Sequence, residues 1–492
     1  MTATQPLPAA LGSVFADLQR ELPEHLLITD PTRLETYACD GLTSHRVTPS
    51  LVVLADTQEQ IVATIRSCAR HKVPFVARGS GTGLSAGALP QADGVLLVTS
   101  RLRDIHEIRP EDQRAVVDPG VINVQVSKAA NPAGYYFAPD PSSQQICSIG
   151  GNVAENSGGA HCLKYGFTAA HVLSLDVVLP TGDEVTLGTE APDAPGYDLL
   201  GAFVGSEGTL GVATKATLRL TRLPAEVRTI LAGFETIDQA GAATSAIIAE
   251  GIIPAAIEIM DALSIEAAEE AVSCGYPQGA GVVLIVELDG ASIDVEQEFS
   301  AVETICRDEG CFEFRMATDA LERAEIWKGR KSAFAAMGRI SPNYIVQDGV
   351  VPRTALPTVL NQMSEISERT GVHVANVFHA GDGNLHPLVL YDEAIPGATE
   401  KAEKVSGMIL DLCIQHGGSI TGEHGVGVDK ARFMPKMFTD DDLDSQQLIR
   451  CAFDPDGISN PGKVYPTPRL CGERPQVRQG SHPLATEGVE LF

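Results

Sequence analysis

Two short segments bring together residue types that bind metals and move protons. His379 and His386 flank Ala380, Gly381, Asp382, Gly383, Asn384 and Leu385. Strand-like residues lie on both sides, and the turn between holds two glycines, an Asp and an Asn. That pattern predicts a hairpin with both imidazoles at one end of a sheet. Neutral imidazoles suit zinc, iron or manganese, although two histidines alone fit ordinary core or loop packing equally well. The second segment, residues 421–427, reads Thr-Gly-Glu-His-Gly-Val-Gly. Adjacent side chains in a glycine-rich loop can diverge, so Glu423 could face a metal while His424 faces a reactant. Two histidines and one carboxylate would leave coordination positions open. A plain helix-terminal turn has no need of three glycines and two ionisable groups. The run Trp327-Lys328-Gly329-Arg330-Lys331 offers cations for an anionic ligand. A guanidinium matches a carboxylate bidentately; Lys328 and Lys331 fit a solvated helix face.

A different chemistry is written in the glycines. Arg78, Gly79, Ser80, Gly81, Thr82, Gly83, Leu84 and Ser85 follow a predicted strand, and Ala86 and Gly87 continue the loop. Glycines let backbone N–H groups approach a pyrophosphate without a Cβ in the way. Gly81, Gly83 and Ala86 match the nicotinamide fingerprint G-x-G-x-x-A. That fingerprint must open a helix, whereas Gly87, Pro90 and Gly94 lead here into another strand. A second loop over 140–159 is rich in Ser, Gly and Asn, and a third spans 205–211. Three such loops in one region suggest a large ligand carrying phosphates and several rings.

These loops, in this order and spacing, resemble the FAD-binding domain of the vanillyl-alcohol oxidase and p-cresol methylhydroxylase superfamily. From about residue 20 to 466 the chain resembles the FAD-linked D-2-hydroxy-acid dehydrogenases, which include glycolate, D-lactate and D-2-hydroxyglutarate dehydrogenases. The motifs H-x-G-D-G-N-x-H and G-E-H-G-x-G are both intact. The resemblance implies an α+β fold, with a two-subdomain FAD-binding domain and an antiparallel-sheet cap domain backed by helices. It implies non-covalent FAD held by residues 78–85, by Pro139, Asp140, Ser142, Ser143, Gly150, Gly151, Asn152, Ala154, Asn156, Gly158 and Gly159, and by Gly205, Glu207, Gly208, Thr209, Leu210 and Gly211. Asn460, in Asn460-Pro461-Gly462-Lys463, completes that set, and Lys463 could approach the flavin or a nearby anion. No His or Cys lies in the first loop, which disfavours covalent attachment there; Cys147 and His161 lie near the second. The implied metal ligands are His379, His386 and Glu423, the base is His424, and Arg330 binds the substrate carboxylate. The metal, zinc, manganese or iron, would acidify the α-hydroxyl, His424 would take its proton, and the α-hydride would pass to flavin N5. The largely apolar stretch 332–337 after Arg330 favours a small monocarboxylate, glycolate or D-lactate. Electrons would leave to an external acceptor or an iron–sulfur partner subunit. D-2-hydroxyglutarate oxidation, a non-catalytic flavin subunit and a flavin-free metal hydrolase are the alternatives.

Composition bounds the rest. The 492 residues exceed one ordinary core. A net charge of −28 argues against nucleic acid or anionic lipid as a partner. No apolar run reaches the roughly 18 residues that span a bilayer, and no signal peptide is visible. The ten cysteines form no C-x-x-C pair, so no iron–sulfur or zinc-ribbon site built on cysteines is expected, and reduced thiols in a cytoplasm are the default. Periodicity predicts strands over 51–55, 73–77, 94–98, 103–108 and 115–118, helices over 58–71 and 121–130, a hairpin over 172–187 and a strand over 212–220. Beyond Arg222 and Leu223 strands alternate with longer helices, the final one over 399–415. The expected organisation is an FAD domain over 1–223, a cap with the metal site over 224–425, a return to the FAD domain over 426–466 and a loose tail over 467–492.

Overall fold

The computed structural model describes residues 7–191 and 195–466; the expected tail lies outside them. The first sheet shows how local signals build the cofactor side. Thr57 and Gln60 form a capping box that starts helix Gln58–His71. The helix buries Ile61, Val62, Ile65 and Cys68 as one stripe and ends at Lys72 in the left-handed region. This crossover makes strands Leu51–Leu54, Val95–Val98 and Phe75–Arg78 parallel neighbours, with Leu27–Ile28 antiparallel at the edge. The chain from 79 to 94 forms no helix, consistent with rejection of the nicotinamide fingerprint.

A second sheet is antiparallel, with strands in the order Ile105–Arg109, Arg114–Val117, Val212–Arg219, Val172–Val178 and Glu184–Gly188. The hairpin over 172–187 forms with Val178 opposite Glu184. One expectation fails locally: residues 140–159 are not all loop, because Ile149–Glu155 is a helix. The Ser148 hydroxyl caps it by accepting from the Gly151 N–H. Gly150 lies so close to Pro119 that a Cβ would come within 2.8 Å of the proline side chain. The glycines here serve close packing of a helix start, which composition alone does not separate from a loop.

The third sheet is the large antiparallel one expected after residue 224. It runs Glu313–Met316, Glu226–Phe234, Val282–Gly290, Ala256–Asp261, Val374–His379, Asn384–Leu385 and Gly349–Val350, with Asn343–Val346 and Pro387–Tyr391 pairing off this path. Helices cover both faces. Ile230, Ala232, Leu284 and Val286 pack in one core with helices Ile237–Ala249, Ser292–Asp308 and Leu356–Thr370. Leu231, Val283 and Ile285 face the other, under Ala262–Val272 and Ala320–Ala336. Alternate residues thus enter opposite cores, which explains the unbroken apolar run in this strand.

Helix Ala398–Gln415 is not the final one, because Asp440–Phe453 follows, capped by Thr439. Its acidic first turn suits a helix N-terminus, a signal that the polar composition hides. The chain then returns to the first sheet, where the Asn460 N–H donates to the Phe75 carbonyl at 2.8 Å. Among the described residues eight cysteines are free. Cys451 is disulfide-bonded, contrary to the expectation of uniformly reduced thiols. Among the described residues no helix is long and apolar enough to cross a membrane.

Candidate active site

The hairpin turn does bring the two imidazoles together. His379 ends strand Val374–His379 and pairs with Asn384 across the turn. The His379 and His386 rings lie 5.0 Å apart, edge to face. Glu423 reaches both, its Oε1 standing 3.4 Å from His379 Nε2 and 3.2 Å from His386 Nε2. His379, His386 and Glu423 present donor atoms within 4.8 Å of one another, as do Asp348, His386 and His424. His386 Nδ1 and Glu423 Oε2 are buried without a hydrogen-bond partner. Buried polar atoms are seldom left so, and a cation at this N/N/O donor set would satisfy them. The three predicted ligands therefore fit a divalent metal.

A residue not foreseen orients the first ligand. Glu258 sits opposite His379 on the neighbouring strand. Its Oε1 lies 2.6 Å from His379 Nδ1, and its Oε2 accepts from Arg330 Nε at 2.7 Å. Glu258 and Glu423 together raise the His379 imidazole well above its usual range against its burial. With a metal in place of the Nε2 proton, Glu258 would hold the remaining proton on Nδ1, as carboxylates behind metal-binding imidazoles do. Burial opposes the Glu258 charge, but His379 and Arg330 outweigh it and hold the carboxyl below its usual range.

Asp348, also unforeseen, shapes the loop that carries Glu423 and His424. It accepts from the backbone N–H groups of Gly422, Glu423 and His424 and from the Thr421 hydroxyl, and it meets the Lys430 ammonium at 3.3 Å. This cluster of donors fixes the loop backbone that presents the two side chains. The His424 ring stacks on His386 at 4.9 Å, and its Nε2 stands 3.8 Å from Glu423 Oε1. Burial lowers the His424 imidazole to about 4, so near neutral pH it is the free base.

Beside this cluster opens a cleft of about 1210 Å³. Arg78, Gly79, Ser80, Gly81, Thr82, Gly83 and Leu84 line it from the first loop, and Ser142, Ser143, Gly150, Gly151, Asn152 and Ala154 from the second. Glu207, Gly208 and Gly211 line it from the third, and Glu423 and His424 close the set. The glycine-rich backbone and the Ser-rich lining fit FAD.

Other residues predicted as contacts are held by bonds within and between these loops. Asp140 is tied to His161, and the Asn156 side chain accepts from the Ala169 N–H. The Thr209 hydroxyl donates to the Ser206 carbonyl, Leu210 joins the core, and the Gly205 N–H donates to the Val153 carbonyl. The Ser85 carbonyl accepts from Val428, and Asn460 donates to the Gly87 and Glu207 carbonyls. Pro139 accepts from Asn123, and Gly159 packs against the Asp140 backbone. Lys463 donates to the Leu89 carbonyl rather than lining the cleft. Gly158 backs Glu423, since a Cβ there would meet its Oε2 at 2.7 Å. Cys147, Ser148, Ser157 and Ser206 line the cleft and were not singled out.

His161 joins the second loop to the large sheet. Its Nδ1 lies 2.7 Å from Asp140 and its Nε2 3.1 Å from Glu287, which Arg323, Trp327 and Thr229 also hold. Burial disfavours the imidazolium, but Asp140 and Glu287 prevail and push His161 up to about 10. Against an unfolded value of about 6.5, this stabilisation is fully present below about pH 6.5 and is lost as pH rises toward 10. His161→Gln should therefore cost about 3 kcal/mol near pH 6, the low end for breaking a buried pair because Glu287 keeps other partners. Denaturant midpoints of wild type and variant, measured from pH 6 to 10, should converge; a constant gap would refute the charge assignment.

Comparison with known proteins agrees with this geometry. Residues 49–188 match the FAD binding domain family, and residues 223–464 match the family described as FAD linked oxidases, C-terminal domain. The glycolate oxidase subunit GlcD of Escherichia coli strain K12 is 48% identical over 461 residues, covering 94% of this chain and 92% of that one. The Bacillus subtilis strain 168 protein of the same name is 37% identical over 444 residues, covering 90% and 94%. The mitochondrial D-lactate dehydrogenase [cytochrome] of Arabidopsis thaliana is 29% identical, covering 86% and 74%. Among solved structures, p-cresol methylhydroxylase superposes with a TM-score of 0.78 at 17% identity, covering 93% of this chain and 97% of that one. A 4-ethylphenol oxidase from Gulosibacter chungangensis gives 0.79 at 17%, covering 95% and 99%. The fold is that of the vanillyl-alcohol oxidase and p-cresol methylhydroxylase type, and the chain belongs to the FAD-linked oxidase family.

Proposed function

We propose that this protein oxidises a small D-2-hydroxy acid, glycolate or D-lactate, to the 2-oxo acid. The observation that carries the reading is that Glu423 and His424 line the same cleft as the glycine loops. The proton-transfer and metal-binding groups thus meet the cofactor slot at one end. Bound there, FAD supplies the two-electron acceptor and a divalent metal supplies Lewis acidity at the substrate oxygens. His379, His386 and Glu423 would hold the metal, with Glu258 fixing the His379 tautomer. Arg330 would take the substrate carboxylate, since Glu258 engages only its Nε. His424, neutral and buried, accepts the hydroxyl proton at a ring nitrogen. Phe334 lies 6.0 Å from His386, centroid to centroid, an apolar neighbour that suits a short acid better than D-2-hydroxyglutarate.

The electrons need a further acceptor, because among the described residues no cysteine joins a metal-binding group. The relatives' printed name, a subunit, supports an iron–sulfur or other redox partner. A cytoplasmic location, reaching a membrane only through such partners, belongs to the same proposal. Residues 1–223 would form the FAD domain, 224–425 the cap, and 426–466 the return segment.

Steady-state rates with a dye acceptor test the substrate. Glycolate or D-lactate should exceed D-2-hydroxyglutarate in kcat/KM at least tenfold; the reverse order would overturn the assignment. Arg330→Lys should lose a bidentate charged contact of about 1.5–3 kcal/mol. The expected outcome is a roughly tenfold to hundredfold higher KM at unchanged FAD content. An unaltered KM would remove Arg330 from the site.

A further inference from the structure

Glu155 ends helix Ile149–Glu155 and lines the cleft with Glu423 and His424. Its Oε2 is buried and has no hydrogen-bond partner. A second carboxyl stands close by. A Cβ on Gly425 would lie 2.1 Å from Glu155 Oε2 and 2.9 Å from Glu207 Oε1, and one on Gly87 2.8 Å from Glu155 Oε1 and 3.5 Å from Glu207 Oε2. The two carboxyls therefore share one pocket walled by glycine backbone.

Their surroundings differ. Glu207 accepts the Val426 and Gly427 N–H groups at 2.6 and 2.7 Å. Bonds of that kind favour the charged form. Glu155 has neither an amide nor a cation bonded to Oε2, and like charges this close do not both ionise readily. Burial raises Glu155 well above the usual carboxyl range; Glu207, Asp40 and Asp348 add to the rise, and Lys430 opposes it. Burial raises Glu207 as well, against the pull of those two N–H groups, so of the pair Glu155 is the carboxyl that keeps a proton the more readily.

We propose that Glu155 is a hydrogen-bond donor to the ring of the bound flavin, presenting a carboxyl proton that favours the ring's two-electron reduction. The inference rests on the FAD reading above. The base and the metal donors mark the end of the cleft where the reacting ring must lie, and Glu155 lines that end. A donor aimed at the ring stabilises the negative charge gained on reduction. The proton stays on Glu155 throughout, so the residue tunes the acceptor rather than exchanging atoms with it.

The test uses the FAD-loaded protein and its Glu155→Leu and Glu155→Gln variants. The midpoint potential of the bound flavin is measured against redox dyes under anaerobic conditions. Glu155→Leu should be at least tenfold harder to reduce, about 30 mV more negative for a two-electron couple. Glu155→Gln, which keeps an N–H donor, should stay near wild type. Equal potentials in wild type and Glu155→Leu, both yellow, would overturn the proposal while leaving the FAD reading intact. Should Glu155→Leu fail to fold, redox-difference infrared spectra of wild type and Glu155→Gln decide. A protonated-carboxyl band that shifts on reduction and vanishes in Glu155→Gln supports it, and no such band in wild type overturns it. A wild-type protein that takes up no flavin would defeat the FAD reading and this inference together.

Discussion

His424→Ala should lower kcat by about 10²–10⁴-fold, the usual contribution of a positioned general base, while FAD and metal stay bound. The expectation follows from three features. The imidazole is neutral at physiological pH because burial disfavours its charge. Its backbone N–H is fixed by Asp348 at 2.9 Å. Its ring is stacked on His386, a proposed metal ligand, at 4.9 Å, so a hydroxyl held by the metal would lie within its reach. Flavin absorbance and bound metal report the integrity of the site independently of rate. A His424→Ala protein with full cofactor content and normal turnover would remove the residue from the chemistry.

Glu423→Gln should be at least as damaging, by a different route. Glu423 is the one carboxylate shared by His379 and His386, and it is held well below the usual carboxyl range despite its burial. The neutral amide removes the charge that balances a divalent ion. Metal content should fall from about one per chain to near none after dialysis, and the rate should fall on the order of 10³-fold as several kcal/mol of Lewis-acid stabilisation disappears. FAD should remain bound, because the glycine loops supply most of the cleft lining. In wild type a chelator should produce the same loss, reversed by added metal. Unchanged metal content in Glu423→Gln would refute the ligand set.

Much of this site was legible in the sequence because its signals are local. The spacing from His379 to His386 encloses its own turn, and Glu423 and His424 arrive with their glycines. The density of glycine after residue 78 announces a backbone that must approach a ligand. What was not legible is what only tertiary structure brings near. Glu258 is one of two acids in an otherwise apolar strand, and it meets His379 only through the register of two strands, the two residues standing 121 apart in sequence. Asp348 reads as the end of a strand until the loop at 421–424 folds around it. The helix at 149–155 was hidden because glycine density predicts close approach without telling a ligand from a neighbouring proline. Several residues carried over as FAD contacts, such as Asn156, Thr209 and Asn460, also bond to neighbouring backbone and so shape the loops that line the cleft.

The central claim is tested most directly by the visible spectrum of the purified, metal-loaded protein before and after anaerobic addition of glycolate or D-lactate. The account predicts a yellow oxidised-flavin band that one of these acids bleaches, with the 2-oxo acid formed in equal amount. A colourless protein that added FAD does not fill would contradict the flavin assignment. A yellow protein that neither acid bleaches would contradict the assigned substrate.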